Sequence, residues 1–491
     1  MRVCVVVRFL GFLMIVISLW MICPFVYAVS NAGEDTVPFA LSIGIGIFSG
    51  AVLYFLGRGV DMSKMRAREA MASVALSWIA ASAVSGLPYF FHGSAPTYAD
   101  AFFEAMSGFT TTGSTILQDI DAVPRGLLLW RGLTHWLGGM GIIVLTLTMM
   151  PILGVGGFNL FTAEVPGVVH EKITPRVRQT AVILWLIYIG LTLIQTIILL
   201  LGGMGIFDAI THAMGTISTG GFSPHDESMA YFDNAFYDWV VTFFMFISGA
   251  NFVLHYQAIR GRSLRSFFRD PEFAFYFLCV LSLSLLTSLG LYMSGTSESI
   301  HQCLRHGAFQ VTSLITTTGF VTTNYEIWPF FSQSLLFVCL FLGGCAGSTS
   351  GGIKQIRLLI LFRHAARQLT RILNPRAVLP LRIGKKAMDL DAISSTLAFF
   401  GLYLLVFVVG IFGITLFEPD FFTAISGVAA TLGNVGPGFG TLGAAGNFAS
   451  QAAGAKWIYS FLMLCGRLEL YTVLILFSRP YWNEGVILSK D

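Results

Sequence analysis

Apolar runs of about 20 residues, each long enough to cross about 30 Å of hydrocarbon, recur near 9–28, 38–57, 70–91, 127–152, 178–202, 238–258, 272–294, 329–362, 390–417 and 455–478. They predict ten crossings, of which the eighth is overlong and broken by glycines. Shorter apolar stretches, too short to span, lie at 101–109, 209–216, 303–315 and 421–430. Each is followed by a small-residue break and then by another long run. The breaks read Thr110-Thr111-Thr112-Gly113, Ile217-Ser218-Thr219-Gly220, Thr316-Thr317-Thr318-Gly319 and Gly433-Asn434-Val435-Gly436. The predicted unit is therefore helix, re-entrant pore helix, break, helix. It occurs four times, after a two-helix N-terminal addition. This predicts an all-α membrane protein with four pseudo-symmetric repeats around a central pore. The boundaries are 1–68 for the addition, then 69–176, 177–270, 271–388 and 389–491 for the repeats. The first run follows Arg2 and Arg8 and exceeds the usual length of a secretory signal, so it reads as a retained helix.

Unpaired backbone N–H and C=O groups cost several kcal/mol in lipid, so a non-helical break at membrane depth must be buried in protein or line water. A dehydrated cation needs oxygen ligands, and rings of backbone carbonyls supply them without fixed charge. Glycine adopts the backbone angles that such rings demand, and threonine adds a hydroxyl. Candidate filter residues are accordingly Thr111, Thr112, Gly113, Ser218, Thr219, Gly220, Thr317, Thr318, Gly319, Asn434, Val435 and Gly436. Counting without gaps from the fourth pore helix would pair Thr431 with Thr112. Matching the final glycine selects Gly436 and is preferred. The signatures are shorter than the Thr-Val-Gly-Tyr-Gly run of potassium channels, which predicts fewer carbonyl rings and weaker rejection of sodium or rubidium. Asp100, Asp208 and Asp420 stand near pore-helix starts, where a carboxylate can cap free N–H groups.

The helix after each filter carries a second small-residue lesion: Gly138-Gly139-Met140-Gly141, Ser248-Gly249-Ala250-Asn251, Gly343-Gly344-Cys345-Ala346-Gly347 and Cys465-Gly466-Arg467. In the third, Gly343, Gly344, Gly347, Ser348, Thr349, Ser350, Gly351 and Gly352 crowd into ten residues. Each glycine costs a helix about 1 kcal/mol against alanine, so an intramembrane loop is expected there. Arg467, deep in an apolar run, should face protein or a water-filled path. Loop and arginine together read as a gate; the plainer reading is that Arg467 only ties loop to helix through carbonyls, and the two are compatible. Lys354 is expected at the cytoplasmic mouth.

Composition sharpens the class. The chain has 491 residues, 55% hydrophobic and 11% charged, too little charge for a soluble protein of this size. Basic residues cluster at Arg58/Lys64/Arg66/Arg68, Lys172/Arg176/Arg178, Arg260/Arg262/Arg265/Arg269 and 363–386, while the alternate loops are acidic or nearly neutral. The positive-inside rule then puts both termini in the cytoplasm and every filter on the outer side. The seven cysteines are scattered and lack metal-ligand spacing. No Walker loop, nucleophile–base pair or nucleic-acid-binding segment is present, so this is not read as an enzyme. His135 and His255 read as packing residues.

Several stretches resemble the TrkH-type pore subunits of bacterial potassium uptake systems, within the Trk/Ktr/HKT superfamily. They are 133–141, Ala163-Glu164-Val165-Pro166-Gly167, Thr174-Pro175-Arg176, Gly249-Ala250-Asn251-Phe252, 347–354 and Gly466-Arg467-Leu468-Glu469. The resemblance implies potassium uptake at the bacterial inner membrane, homodimeric assembly within lipid, and regulation by a cytosolic TrkA-like nucleotide-binding ring. It also implies no covalent cofactor, with any nucleotide (ATP or NAD) held on the ring subunit, and a gate formed by the loop at 343–352 with Arg467. A glycine at position 113 goes with potassium preference in that superfamily. The alternative is a symporter coupling potassium to protons or sodium, for which Glu104 in the first pore helix is the candidate second-ion residue.

Overall fold

The computed structural model describes residues 3–59, 67–141, 177–296, 299–375, 379–384, 386–388 and 390–482. The stretches around Glu164 and Pro175, the 127–152 run beyond 141, and Lys64, Arg66, Lys172, Arg176 and Lys385 lie outside the described residues.

Among the described residues, six helices are long and apolar enough to cross a membrane: Val3–Ser30, Thr36–Leu56, Arg68–His92, Ala181–Leu201, Pro271–Met293 and Leu390–Thr415. Their outward faces carry large apolar side chains such as Phe48, Leu201, Leu289 and Phe412, as lipid contact requires. The first of these is interrupted at Met21, which separates Val3–Trp20 from Ile22–Ser30.

The four re-entrant helices are Tyr98–Phe109, Ile206–Ile217, Ile300–Ile315 and Phe421–Leu432. Their 12 to 16 residues give about 18–24 Å at 1.5 Å per residue, too short to span. Their starts are satisfied differently. Thr97 and Asp100 form a capping box, Ser299 caps the third helix, and Asp420 caps the fourth by accepting from the Thr423 amide at 2.9 Å. Asp208 lies in the first turn of the second helix, whose N-cap residue is Gly205; its carboxylate pairs with His225 instead.

The second long run of each repeat departs from the expected single crossing. Ala235–Ser248 and Phe252–Gly261 meet at 96°, and Ala453–Arg467 and Tyr471–Phe477 at 116°. In the third repeat, Phe330–Cys339 gives way to a loop before Gln355–Leu373 starts. In the first, the helix that begins at Arg125 stops at Gly139. Each stop falls at or just before its small-residue lesion. In the second repeat Asn251 restarts the chain by accepting from the Val253 amide. In the fourth, Glu469 and Leu470 turn the chain through two consecutive left-handed residues, at φ 57° and 62°.

These stops are also close contacts. A methyl group on Gly138 would overlap the Phe109 carbonyl, and one on Gly466 the Leu432 carbonyl. The broken helices of the first and fourth repeats therefore pack their backbones against the C-terminal ends of their own pore helices. The largest apolar core joins the N-terminal helices with the first and fourth repeats. A short hairpin, Arg382–Ile383 with Lys386–Ala387, is the one sheet among the described residues.

Candidate ion pathway

All four chains leave their pore helices through one pattern. The amides of Thr111, Thr219, Thr317 and Asn434 donate to the carbonyls of Gly108, Thr216, Leu314 and Thr431, at 3.0–3.2 Å. The next amides, of Thr112, Gly220, Thr318 and Val435, donate to the carbonyls of Ser107, Gly215, Ser313 and Ala430, at 2.8–2.9 Å. This closure resembles a helix stop that normally places glycine or asparagine in the left-handed region. Here Thr111, Thr219 and Thr317 hold φ of 49°, 55° and 56°, and Asn434 holds 54°. A β-branched residue there is an outlier, and such strain costs about 1–3 kcal/mol per residue.

Two positions later the backbone is left-handed again, at Gly113, Gly221, Gly319 and Gly436. This corrects the register of the second repeat. Its equivalent trio is Thr219, Gly220 and Gly221, one residue beyond the Ser218, Thr219 and Gly220 of the sequence signature. Ser218 is the counterpart of Thr110. The double glycine at 220–221 is the signal of this register in the sequence. In the fourth repeat the trio is Asn434, Val435 and Gly436.

The four segments close into a ring. A methyl group on Gly113 would collide with the carbonyl oxygen of Gly220. One on Gly221 would collide with Thr318 O, and one on Gly319 with Val435 O. One on Gly436 would lie 2.6 Å from Thr112 O. The sequence of contacts runs from the first repeat through the fourth and back to the first, and the Thr, Asn and Val residues of the trios are fully buried. Equivalent carbonyls of four repeats thus meet around one axis, at the C-terminal, partially negative ends of four helices. Such a ring suits a bare monovalent cation. Among the described residues, no grouping of three or more His, Cys, Asp or Glu side chains could hold a metal.

Side chains lock the ring. Asn434 Nδ2 donates to Thr112 Oγ1 at 3.0 Å and to the Met463 carbonyl at 2.9 Å. Ser114 Oγ donates to Gly436 O at 3.0 Å. Hydroxyl pairs join Thr110 to Thr112 and Thr316 to Thr318, both at 2.8 Å. Glu104 is bound by Arg131 at 2.8 Å, with both groups buried, and accepts from Thr115 Oγ1 and the Ile116 amide. Arg131 Nη1 continues to the Ser223 carbonyl at 2.9 Å, and the guanidinium sits 4.0 Å from the centre of the Phe222 ring. The carboxylate expected as a second-ion candidate is therefore a neutralised brace between the first and second filters.

The glycine-rich loop lies against this ring. The Gly351 amide donates to Thr317 Oγ1 at 2.6 Å, and Thr349 Oγ1 donates to the Ile217 carbonyl at 3.1 Å. Gly343 pairs with Ile353, Cys345 with Gly249, and Phe252 with Gly347 through backbone bonds of 2.8–3.0 Å. Within the loop, Gly344 N–H meets Ser350 Oγ and Ser348 meets Ser350. Gly347 and Gly352 take left-handed angles. Glu272 accepts from the amides of Ala346 and Ile356, fixing both ends of the loop. Lys354 folds back onto the Ser350 carbonyl.

Arg467 joins three repeats. Its Nη1 donates to Thr349 O in the loop at 2.7 Å, and its Nη2 to Gly138 O and Gly139 O at 2.8 and 3.2 Å. The Gly138 and Gly139 acceptors are the last two carbonyls of the first-repeat helix, Arg125–Gly139. Neighbouring Glu469 takes Arg357 as its ion partner, and Arg357 also stacks on Phe399 at 3.8 Å.

Comparison with known proteins agrees with this geometry. A family model described as TrkH, cation transport protein, matches residues 39–483. Proteins called Trk system potassium uptake protein TrkH, from Salmonella typhimurium and from Escherichia coli K12, are each 40% identical over 481 residues, covering 98% of this chain and 99% of theirs. The Trk system potassium uptake protein TrkG of Escherichia coli K12 is 35% identical over 482 residues, covering 98% of this chain and 99% of its own. The crystal structure of the potassium transporter TrkH from Vibrio parahaemolyticus superimposes with a TM-score of 0.88 at 37% identity, covering 98% of this chain and 100% of that one. With its ring of backbone carbonyls, broken second helices and near full-length matches, this chain belongs to the TrkH family of cation transport proteins.

Proposed function

We propose that this chain is the gated, potassium-selective pore of an uptake system in the bacterial inner membrane. The closed ring of Thr112, Gly220, Thr318 and Val435 carbonyls carries this reading, and relatives named as potassium uptake proteins support it. An inside-negative potential supplies about 2.3 kcal/mol per 100 mV for each unit charge, so downhill uptake needs no ATPase. The loop at 343–352, held by Arg467, is the gate. A cytosolic nucleotide-binding ring regulates it, the pore works as a homodimer, and both termini face the cytoplasm. Basic residues Arg260, Arg262, Arg265, Arg269, Arg363, Arg367 and Arg371 support that orientation. Coupled symport through Glu104 is disfavoured, because Arg131, Thr115 and Ile116 occupy its carboxylate.

Reversal potentials in proteoliposomes, with potassium and proton gradients set independently and the regulator present, test the proposal. A reversal that follows potassium alone is expected. One that shifts with the proton gradient would overturn the uncoupled pore.

A further inference from the structure

Gly220 has no conformational need to be glycine. Its φ lies outside the left-handed region, and its counterparts Thr112, Thr318 and Val435 are β-branched. What excludes a side chain is His135. A methyl group on Gly220 would run into Nδ1, Cγ and Cε1 of that imidazole. His135 comes from the helix Arg125–Gly139 of the first repeat and is fully buried. Its ring stacks on Phe222, with centroids 4.0 Å apart and planes 7° apart. Its Nδ1 lies 3.3 Å from the Phe222 amide. An amide N–H only donates, so Nδ1 is the acceptor and the ring is the neutral form protonated on Nε2. That amide directly follows the Gly221 carbonyl. The imidazole therefore touches the second filter strand on both sides of its left-handed glycine.

We propose that His135 serves as the missing side chain of the second filter strand. It fills from a neighbouring repeat the space that Thr112, Thr318 and Val435 fill within their own, and it fixes the Gly220 and Gly221 carbonyls. It is a positioning residue for ion selection, and His135 and Gly220 form a complementary pair. The selectivity part of this proposal rests on the filter reading above; the pairing itself does not.

The test is a double-mutant cycle of H135A, G220T and H135A/G220T, read by thermal unfolding in detergent and by the sodium-to-potassium permeability ratio in proteoliposomes. Loss of the buried bond and its packing should raise the ratio in H135A at least about fivefold. G220T alone should be strongly destabilised by the collision. The double variant, with threonine in the vacated space, should regain stability beyond the sum of the single effects and return the ratio most of the way to wild type. Additive stability effects, or an unchanged ratio in a folded H135A, would overturn the proposal. If H135A does not fold, H135N and H135L decide: the asparagine Oδ1 retains the acceptor for the Phe222 amide, so H135N should keep the ratio within about twofold while H135L does not. Equal ratios in those two would also overturn it. A wild-type ratio near one would refute the filter reading alone, and the stability cycle would still judge the pair.

Discussion

Replacing Arg467 by alanine should release the gate. In the structure this side chain makes one charged hydrogen bond to the loop, at Thr349 O, and two to the end of the first-repeat helix, at Gly138 O and Gly139 O. A hydrogen bond to a charged group contributes about 1.5–3 kcal/mol. Among the described residues, the Thr349 contact joins the arginine to the loop of the proposed gate, so the closed state should lose about that amount relative to the open one. At 1.4 kcal/mol per tenfold, the ratio of open to closed pores rises about 10- to 100-fold. Removing the fixed positive charge also lowers the electrostatic barrier to a cation, in the same direction. R467A should therefore conduct potassium without the regulator. R467K keeps the charge but has a single donor head, so it should fall between the two. The assay is potassium flux into liposomes with and without the regulator, alongside thermal unfolding to measure damage to the scaffold. A folded R467A whose unregulated flux equals wild type would refute the gate and leave Arg467 as a structural tie.

Three further outcomes follow from the geometry. Gly113→Ser combines a left-handed φ of 86° with a collision against the Gly220 carbonyl, and it should raise the sodium-to-potassium permeability ratio about tenfold or more, given strain of about 1–3 kcal/mol; an unchanged ratio would show that the ring does not select. Glu104→Gln leaves the buried Arg131 guanidinium without its charge partner and should cost about 3–5 kcal/mol of stability, seen as a lower unfolding temperature, whereas E104L/R131M should recover much of it. His225, in the loop after the second filter, is disfavoured as a cation by burial, but Asp208 and Asp121 outweigh that and hold its pKa above the usual value. Its contribution to stability is thus complete below about pH 6.5 and fades as pH rises through the raised value, so His225→Gln should lower the unfolding temperature at pH 6 and leave it unchanged near pH 10.

Much of this protein is written in its local chemistry. Hydrophobic runs longer or shorter than a bilayer separate spanning helices from re-entrant ones, and four evenly placed small-residue breaks mark the ring. These signals are legible because lipid penalises every unpaired backbone group, so departures from helix stand out. The glycine crowd at 343–352 and the arginine at 467 are visible for the same reason. What tertiary structure decided are relations between distant residues. The register of the second filter depends on which glycine meets the Thr318 carbonyl, so Gly221 joined the ring only once the repeats closed. Glu104 reads as a candidate ion site until Arg131 is found against it. His135 reads as packing until its imidazole is seen in the space left by Gly220. The sharp bends after Ser248 and Arg467 follow a similar logic. Gly249 and Gly466 make a helix stop cheap, but the neighbouring pore helix and loop supply the carbonyl and amide partners that make stopping there the lower-energy choice.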